Sequence, residues 1–293
     1  MGRFDVLREI DRLDPANSAP RIMHLSFGRE FPWDSVRALE LALYRTYAIP
    51  SVSGLLDRTG EFRRHPQKRY DDTAILIAEM CRHGYEHGRG AEALARMNWA
   101  HGHFRIANDD FLYVLSTFLF EPVRWIDAFG WRRLCRNERL GYYFFWRGVG
   151  ERMGLTGIPA SDDAFAAWAA AYERDHVRFA ESNRRIATLT RELFVSWFPP
   201  LAAPMVRAAV HGLLDDPLLD AFGFPRPAPA TRALVRGALK LRGRVVRWLP
   251  PRRAPHFFMD DRNRTHPHGY EIGALGPPHL VARERARRDD RAR

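Results

Sequence analysis

The chain has 293 residues, 46% of them hydrophobic and 28% charged, enough apolar material for one large core or two small ones and too much for wholesale disorder. Its two cysteines, Cys81 and Cys135, lie far apart, which excludes a disulfide framework, a thiolate zinc site and attached c-type haem. The net charge of +11 is concentrated: residues 226–270 hold eleven Lys/Arg against Asp260 and Asp261. The basicity is therefore assigned to an appendage, and a nucleic-acid partner argued from whole-chain charge is excluded.

The opening "MGRFDVLREIDRLDP" alternates charge with apolar residues and carries no signal-peptide core. No run approaches the ~18 apolar residues of a membrane span, so the expected compartment is the cytoplasm. Helical periodicity then dominates. "VRALELALYRTY" (36–47) repeats Val36, Leu39 and Leu43 at helical spacing. "RYDDTAILIAEM" opens a helix over 69–84, with Asp71 and Asp72 near a first turn where negative charge suits the helix dipole. Residues 91–103 form the next helix. Asn108 or Asp109 caps a long apolar helix in which Pro122 predicts a bend or break. "ERLGYYFFWRGVGERM" is an aromatic helix whose Tyr142–Trp146 run is core first and pocket wall second. Ser161-Asp162-Asp163 starts another helix, and 182–198 adds one more before Pro199.

Alternating strand patterns are almost absent, so the expected fold class is all-α, with one helical domain over 1–225. A proline-rich joint, "FGFPRPAPA" (222–230), leads into a basic extension, 226–293, ending in a solvated charged tail, "ARERARRDDRAR". Within 231–248, Leu234, Ala238, Leu241, Val245 and Trp248 fall on one helical face and arginines occupy much of the rest. Two readings of that segment stand equal: a lipid-facing helix making peripheral membrane contact, and a helix packed on the domain with its arginines in water.

Two constellations carry chemistry. In "MNWAHGHF" (97–104), His101 shares a helical face with Leu94, Met97, Asn98 and Phe104, whereas His103 points toward Trp99 and Arg96. The two rings cannot grip one metal together, and His101 is the better ligand. By spacing alone a buried histidine held by a carbonyl is the simpler reading. The second constellation is "RYDDT" (69–73). Arg69, Asp72, Thr73 and Leu76 lie along one stripe, where guanidinium, carboxylate and hydroxyl can converge on a pocket or make ordinary surface pairs. Paired Glu-x-x-His, His-Glu-x-x-His, Walker, Gly-x-Gly-x-x-Gly and Gly-x-Ser-x-Gly motifs are all missing. His266 and His268 in "THPHGY" (265–270) are read as structural, and His176 and His211 as satisfied helix histidines.

At "KRYDDTAIL", "MNWAHGHFRIANDDFLYVLSTFLFEPVRW" and "FWRGVGERM" the sequence resembles the catalytic domain shared by fungal MpaB-type oxygenases and latex-clearing rubber oxygenases. The likeness is closest to the MpaB branch and runs from about residue 4 to about 275, through "EFPWDSVRALELALYRTYAIPS" and "LLDDPLLDAFGFP". Its most specific part is an Arg-x-x-x-Thr helix followed, 28 residues after Thr73, by a His-Gly-x-aromatic element. The resemblance implies a globin-like helical fold holding one haem b, with His101 as the protein ligand to iron. It also implies that Arg69 and Thr73 are the polar residues beside the haem. Where the rubber oxygenases carry a lysine before the threonine, this chain has Asp72; a carboxylate cannot cap iron as a neutral amine does. Asp72 is instead expected to orient Arg69 or a water, or to handle protons.

The implied function is haem-dependent oxygenation by dioxygen, with cleavage of a carbon–carbon double bond in an isoprenoid or other unsaturated hydrophobic substrate. Two alternatives stand beside it. One is a haem protein without oxygenase activity, such as a sensor, carrier or peroxidase-like scaffold; the other is a non-enzymatic adaptor at a membrane surface.

Overall fold

A computed structural model describes residues 2–292. Among them there is no strand, and the all-α expectation holds. The helices in chain order are α1 (Asp5–Asp11), α2 (Ala19–Leu25), α3 (Pro32–Tyr47), α4 (Pro50–Thr59), α5 (Glu61–Arg64), α6 (Pro66–His83) and α7 (Gly88–His101). Then come α8 (Asn108–Phe129), α9 (Arg136–Arg152), α10 (Asp162–His176), α11 (Glu181–Val195) and α12 (Ala203–Leu213). The last are α13 (Asp216–Phe222), α14 (Pro229–Trp248) and α15 (Pro278–Ala292). No helix among the described residues is long and apolar enough to cross a membrane.

Local chemistry sets several boundaries. Proline occupies the first turn of α3, α4 and α6, where its missing N–H would have had no helical partner. Ser161 caps α10 by accepting from the Ala164 N–H at 3.1 Å. Asn108, expected as a cap, is instead the first residue of α8, and its side chain crosses to residue 156, accepting from the Thr156 N–H at 3.0 Å. Pro122 neither bends α8 to a stop nor ends it: the helix continues to Phe129 with Pro122 buried. A buried interior proline costs a helical hydrogen bond, and here the burial of α8 along Leu112, Leu115, Leu119 and Ile126 outweighs that cost.

One apolar core gathers side chains from α2, α3, α6, α7, α8 and α9, and a second joins the end of α3 to α11 and α13 through Tyr44, Tyr47, Ile186, Leu219 and Phe222. Tyr142, Tyr143, Phe145 and Trp146 belong to the first core. The chain beyond residue 225 does not stand apart as a basic appendage. Phe257, Ile272 and Leu275 are buried in the first core. The acidic pair at the start of α6 fastens this returning segment: Asp71 accepts from the N–H and hydroxyl of Thr265 at 3.0 and 2.5 Å. Asp72 is bonded to His266 Nε2 at 2.9 Å and accepts from the Gly276 N–H at 2.8 Å. The charged end of the chain is helical rather than a free tail, and Arg96 of α7 pairs with Glu284 at 2.7 Å.

α14 docks through Arg242, which donates to both oxygens of Asp34 at 2.7 Å, beside a Trp125 indole N–H on the same carboxylate at 3.1 Å. Its Gly243 lies against the carbonyls of Phe129 and Gly130, where a Cβ would collide with backbone oxygens that cannot swing aside. Gly243→Val should therefore destabilise the protein by about 1–3 kcal/mol, seen as a lower denaturation midpoint. An unchanged midpoint would mean that α14 is not packed this way.

Candidate functional site

Thr73 sits about two turns inside α6, and helical phase decides what shares its face. Tyr70, Thr73, Ala74 and Ile77 line a narrow cleft with an accessible volume of about 40 Å³. Val36, Leu39 and Leu43, the predicted stripe of α3, form the facing wall. Phe118 and the returning residues His256, Phe257 and Phe258 complete the lining, which is apolar apart from a few polar groups. The aromatic run of α9 does not line this cleft.

Arg69 lies one turn before Thr73. Its guanidinium donates to the Thr73 hydroxyl oxygen, while that hydroxyl donates to the Arg69 carbonyl at 2.9 Å. The Arg69 guanidinium also lies 5.6 Å from the centre of the Phe62 ring. Of the three polar residues expected to converge, only Arg69 and Thr73 meet. Asp72 faces away, since each residue turns a helix by about 100° and places it on the far side from Tyr70 and Ile77. Besides His266 and Gly276, its remaining partner is Lys68, at 2.5 Å. It anchors the C-terminal segment rather than orienting Arg69.

His101 is the last residue of α7. Its ring meets Phe111 edge to face at 5.2 Å, and its Nδ1 is buried with no hydrogen-bond partner. The carbonyl-satisfied histidine of the simpler reading is therefore not what forms. Burial, aided by the positive charge of Arg69, lowers the pKa to about 4, so the ring is neutral at physiological pH and keeps a lone pair. His103 is exposed, bonded through Nδ1 to the Trp99 carbonyl at 2.8 Å and edge-on to its indole. The contact with Trp99 is the direction its helical position implied. No three His, Cys, Asp or Glu side chains converge on a common point among the described residues. A buried, neutral, unpartnered imidazole nitrogen fits a group that takes a single histidine ligand. His101 and Arg69 do not themselves line the apolar cleft; Arg69 joins the two regions, acting on His101 by charge and on Thr73 by hydrogen bond.

Two cleft residues escaped the sequence reading. Glu40 is buried in the cleft wall, accepting from the Tyr70 hydroxyl at 2.6 Å and paired with Arg37 at 2.8 Å. Burial holds its carboxyl above the ordinary range despite Arg37, and burial with Glu40 beside it pushes the Tyr70 phenol up. The signal was present: Glu40 falls at i+4 from Val36 and i−3 from Leu43, a carboxylate inside an apolar stripe.

Residues 35–248 match the family described as "ER-bound oxygenase mpaB/B'/Rubber oxygenase, catalytic domain". The chain is 30% identical over 242 aligned residues to the ER-bound oxygenase mpaB' of Penicillium brevicompactum, covering 76% of this chain and 57% of that protein. It is 31% identical over 210 residues to the ER-bound oxygenase mpaB of Penicillium roqueforti (strain FM164), covering 66% of this chain and 70% of the relative. The chain thus spans little more than half the length of the first relative. Arg69, Thr73, His101, Glu40 and Tyr70 all fall inside the matched region.

Proposed function

This chain belongs to the mpaB/B' and rubber oxygenase catalytic-domain family, and from that premise we propose that it is a haem b-dependent oxygenase acting on an unsaturated, hydrophobic substrate such as an isoprenoid chain. The observation that carries the cofactor is the buried, unpartnered Nδ1 of a neutral His101. Haem held there would supply iron-centred activation of dioxygen.

The protein's own residues divide the work. His101 offers a ring that stays unprotonated, with its Nδ1 shielded from solvent. Arg69 brings a fixed positive charge beside it and is held by its bond to Thr73, a preorganised donor that would stabilise negative charge on an oxygen substrate. The narrow cleft on the other side of Thr73 offers an apolar lining of Leu39, Leu43, Ile77 and Phe118, which would have to widen to admit an apolar chain. Glu40 and Tyr70 give that cleft one polar point, suited to a hydroxyl or carbonyl on an otherwise greasy substrate. In balance, cleavage of a double bond by one dioxygen leaves its two oxygen atoms in two carbonyl products and consumes no external reductant.

The test is dioxygen uptake by the haem-loaded protein with an unsaturated isoprenoid hydrocarbon and with its hydrogenated counterpart. Uptake and carbonyl products are expected with the first alone; equal behaviour with both would overturn the substrate class. Arg69→Ala should retain haem, lose about 100–1,000-fold in turnover, as expected for removing one preorganised charge-stabilising donor, and leave the His101 pKa nearer its ordinary value. Unchanged turnover would remove Arg69 from the chemistry.

A further inference from the structure

α14 presents two faces with different fates. Its inner face, with Leu239, Arg242, Gly243 and Val246, packs on the body. Its outer face is apolar and bare: Leu234 is 74% exposed, Leu241 60%, Val245 51% and Trp248 85%. These four residues recur at spacings of seven, four and three and so form one continuous stripe along about four turns. Single exposed apolar side chains need no explanation, but an aligned row of this size marks a contact surface.

The charge beside the stripe says what the contact is. Lys240, Arg244 and Arg247 occupy one flank at helical spacing, and among the described residues none of them is in an ion pair. Of the arginines of α14 that reach the body, Arg232 pairs with Asp216 and Arg242 with Asp34, each at 2.7 Å, and Arg236 lies over the Phe129 ring at 5.2 Å. Positive charge on this helix is thus engaged on the inside and free of ion pairs along the edge of the apolar row. Trp248, at the C-terminal end, has the amphipathic ring that favours a membrane–water boundary. Asp34, which holds Arg242, lies at the start of α3, between Pro32 and Val36 of the cleft wall.

We infer that the outer face of α14 is a docking surface for an anionic lipid bilayer, with Leu234, Leu241, Val245 and Trp248 entering the headgroup boundary and Lys240, Arg244 and Arg247 meeting lipid phosphates and carboxylates. The helix lies in the membrane plane and does not cross it. This placement sets the α3 wall of the cleft beside a reservoir of apolar molecules. It stands whether or not His101 holds a haem.

The test is co-sedimentation of the full chain with vesicles of phosphatidylcholine alone or mixed with phosphatidylserine, at low and high salt. The protein should pellet with the anionic vesicles and be released by salt. Leu241→Asp with Val245→Asp should weaken binding by about tenfold or more, and Arg244→Glu with Arg247→Glu should weaken it on anionic vesicles specifically. Both pairs change exposed residues, so circular dichroism and melting should match the parent chain. A parent chain that stays in the supernatant, or doubly substituted chains that pellet like it, would overturn the inference. So would a concentration-dependent dimer, formed without lipid and dissolved by the Leu241/Val245 pair, because the row would then be covered by a second copy.

Discussion

His101→Ala is expected to cut haem affinity by at least about 100-fold, because even an outer partner of a metal-binding histidine is worth about 10–100-fold. His103→Ala should leave affinity unchanged, since that ring is exposed and held against Trp99. The haem-free fold should survive the first substitution: His101 Nδ1 makes no hydrogen bond, so removing it strands no buried partner. The same ring sets an acid sensitivity. Its folded pKa, about 4, lies below the unfolded value near 6.5. Above pH 6.5 neither state binds the proton. As pH falls from about 6.5 toward 4 the unfolded chain takes up a proton that the buried ring refuses, and stability drops by at most about 1.4 kcal/mol per unit. Denaturation midpoints of the haem-free protein at several pH values check this, and His101→Ala should flatten the slope. An equally steep slope in the variant would place the sensitivity elsewhere.

Arg132→Met is expected to cost about 3–5 kcal/mol, the loss typical of breaking a buried ion pair on one side. Arg132 reaches Glu30 at 2.9 Å and Glu138 at 2.6 Å, and the Glu138 side chain is fully buried. Glu138 further accepts from the Ser26 hydroxyl and the Cys135 N–H, each at 2.8 Å, and so ties the turn after α2 to the start of α9. Without the guanidinium two buried carboxylates would face each other. Burial already holds Glu30 above its ordinary pKa with Arg132 present, so the variant's deficit should shrink as pH falls and the carboxylates protonate. Chemical denaturation at neutral and acid pH measures both effects. A loss below about 1 kcal/mol at neutral pH, the level of an exposed pair, would contradict the buried network.

What could be read from the sequence was what local periodicity controls. The stripe Val36, Leu39, Leu43 was visible because burial selects apolar residues at helical spacing, and those side chains do form a cleft wall. His101 and His103 were separable because 200° of helical rotation divides residues two apart. Asp72 misled because it lies on the same helical stripe as Arg69, about 60° away, yet its real partners, His266 and Gly276, are distant in sequence and draw it to the returning segment. The return of residues 250–281 over α6 and α7 was equally hidden. Its attachments are long-range, its backbone has little periodicity, and its arginines suggested an appendage. Glu40 was legible and passed over, though a carboxylate in an apolar row needs a partner, which Tyr70 and Arg37 supply.

The absorbance spectrum of the haem-reconstituted protein, recorded before and after dithionite, tests the assignment of His101 most directly. The predicted result is a Soret band that shifts on reduction, persists in His103→Ala and is lost in His101→Ala. A chain that takes up no haem, or a His101→Ala variant with full haem and an unchanged spectrum, would contradict it.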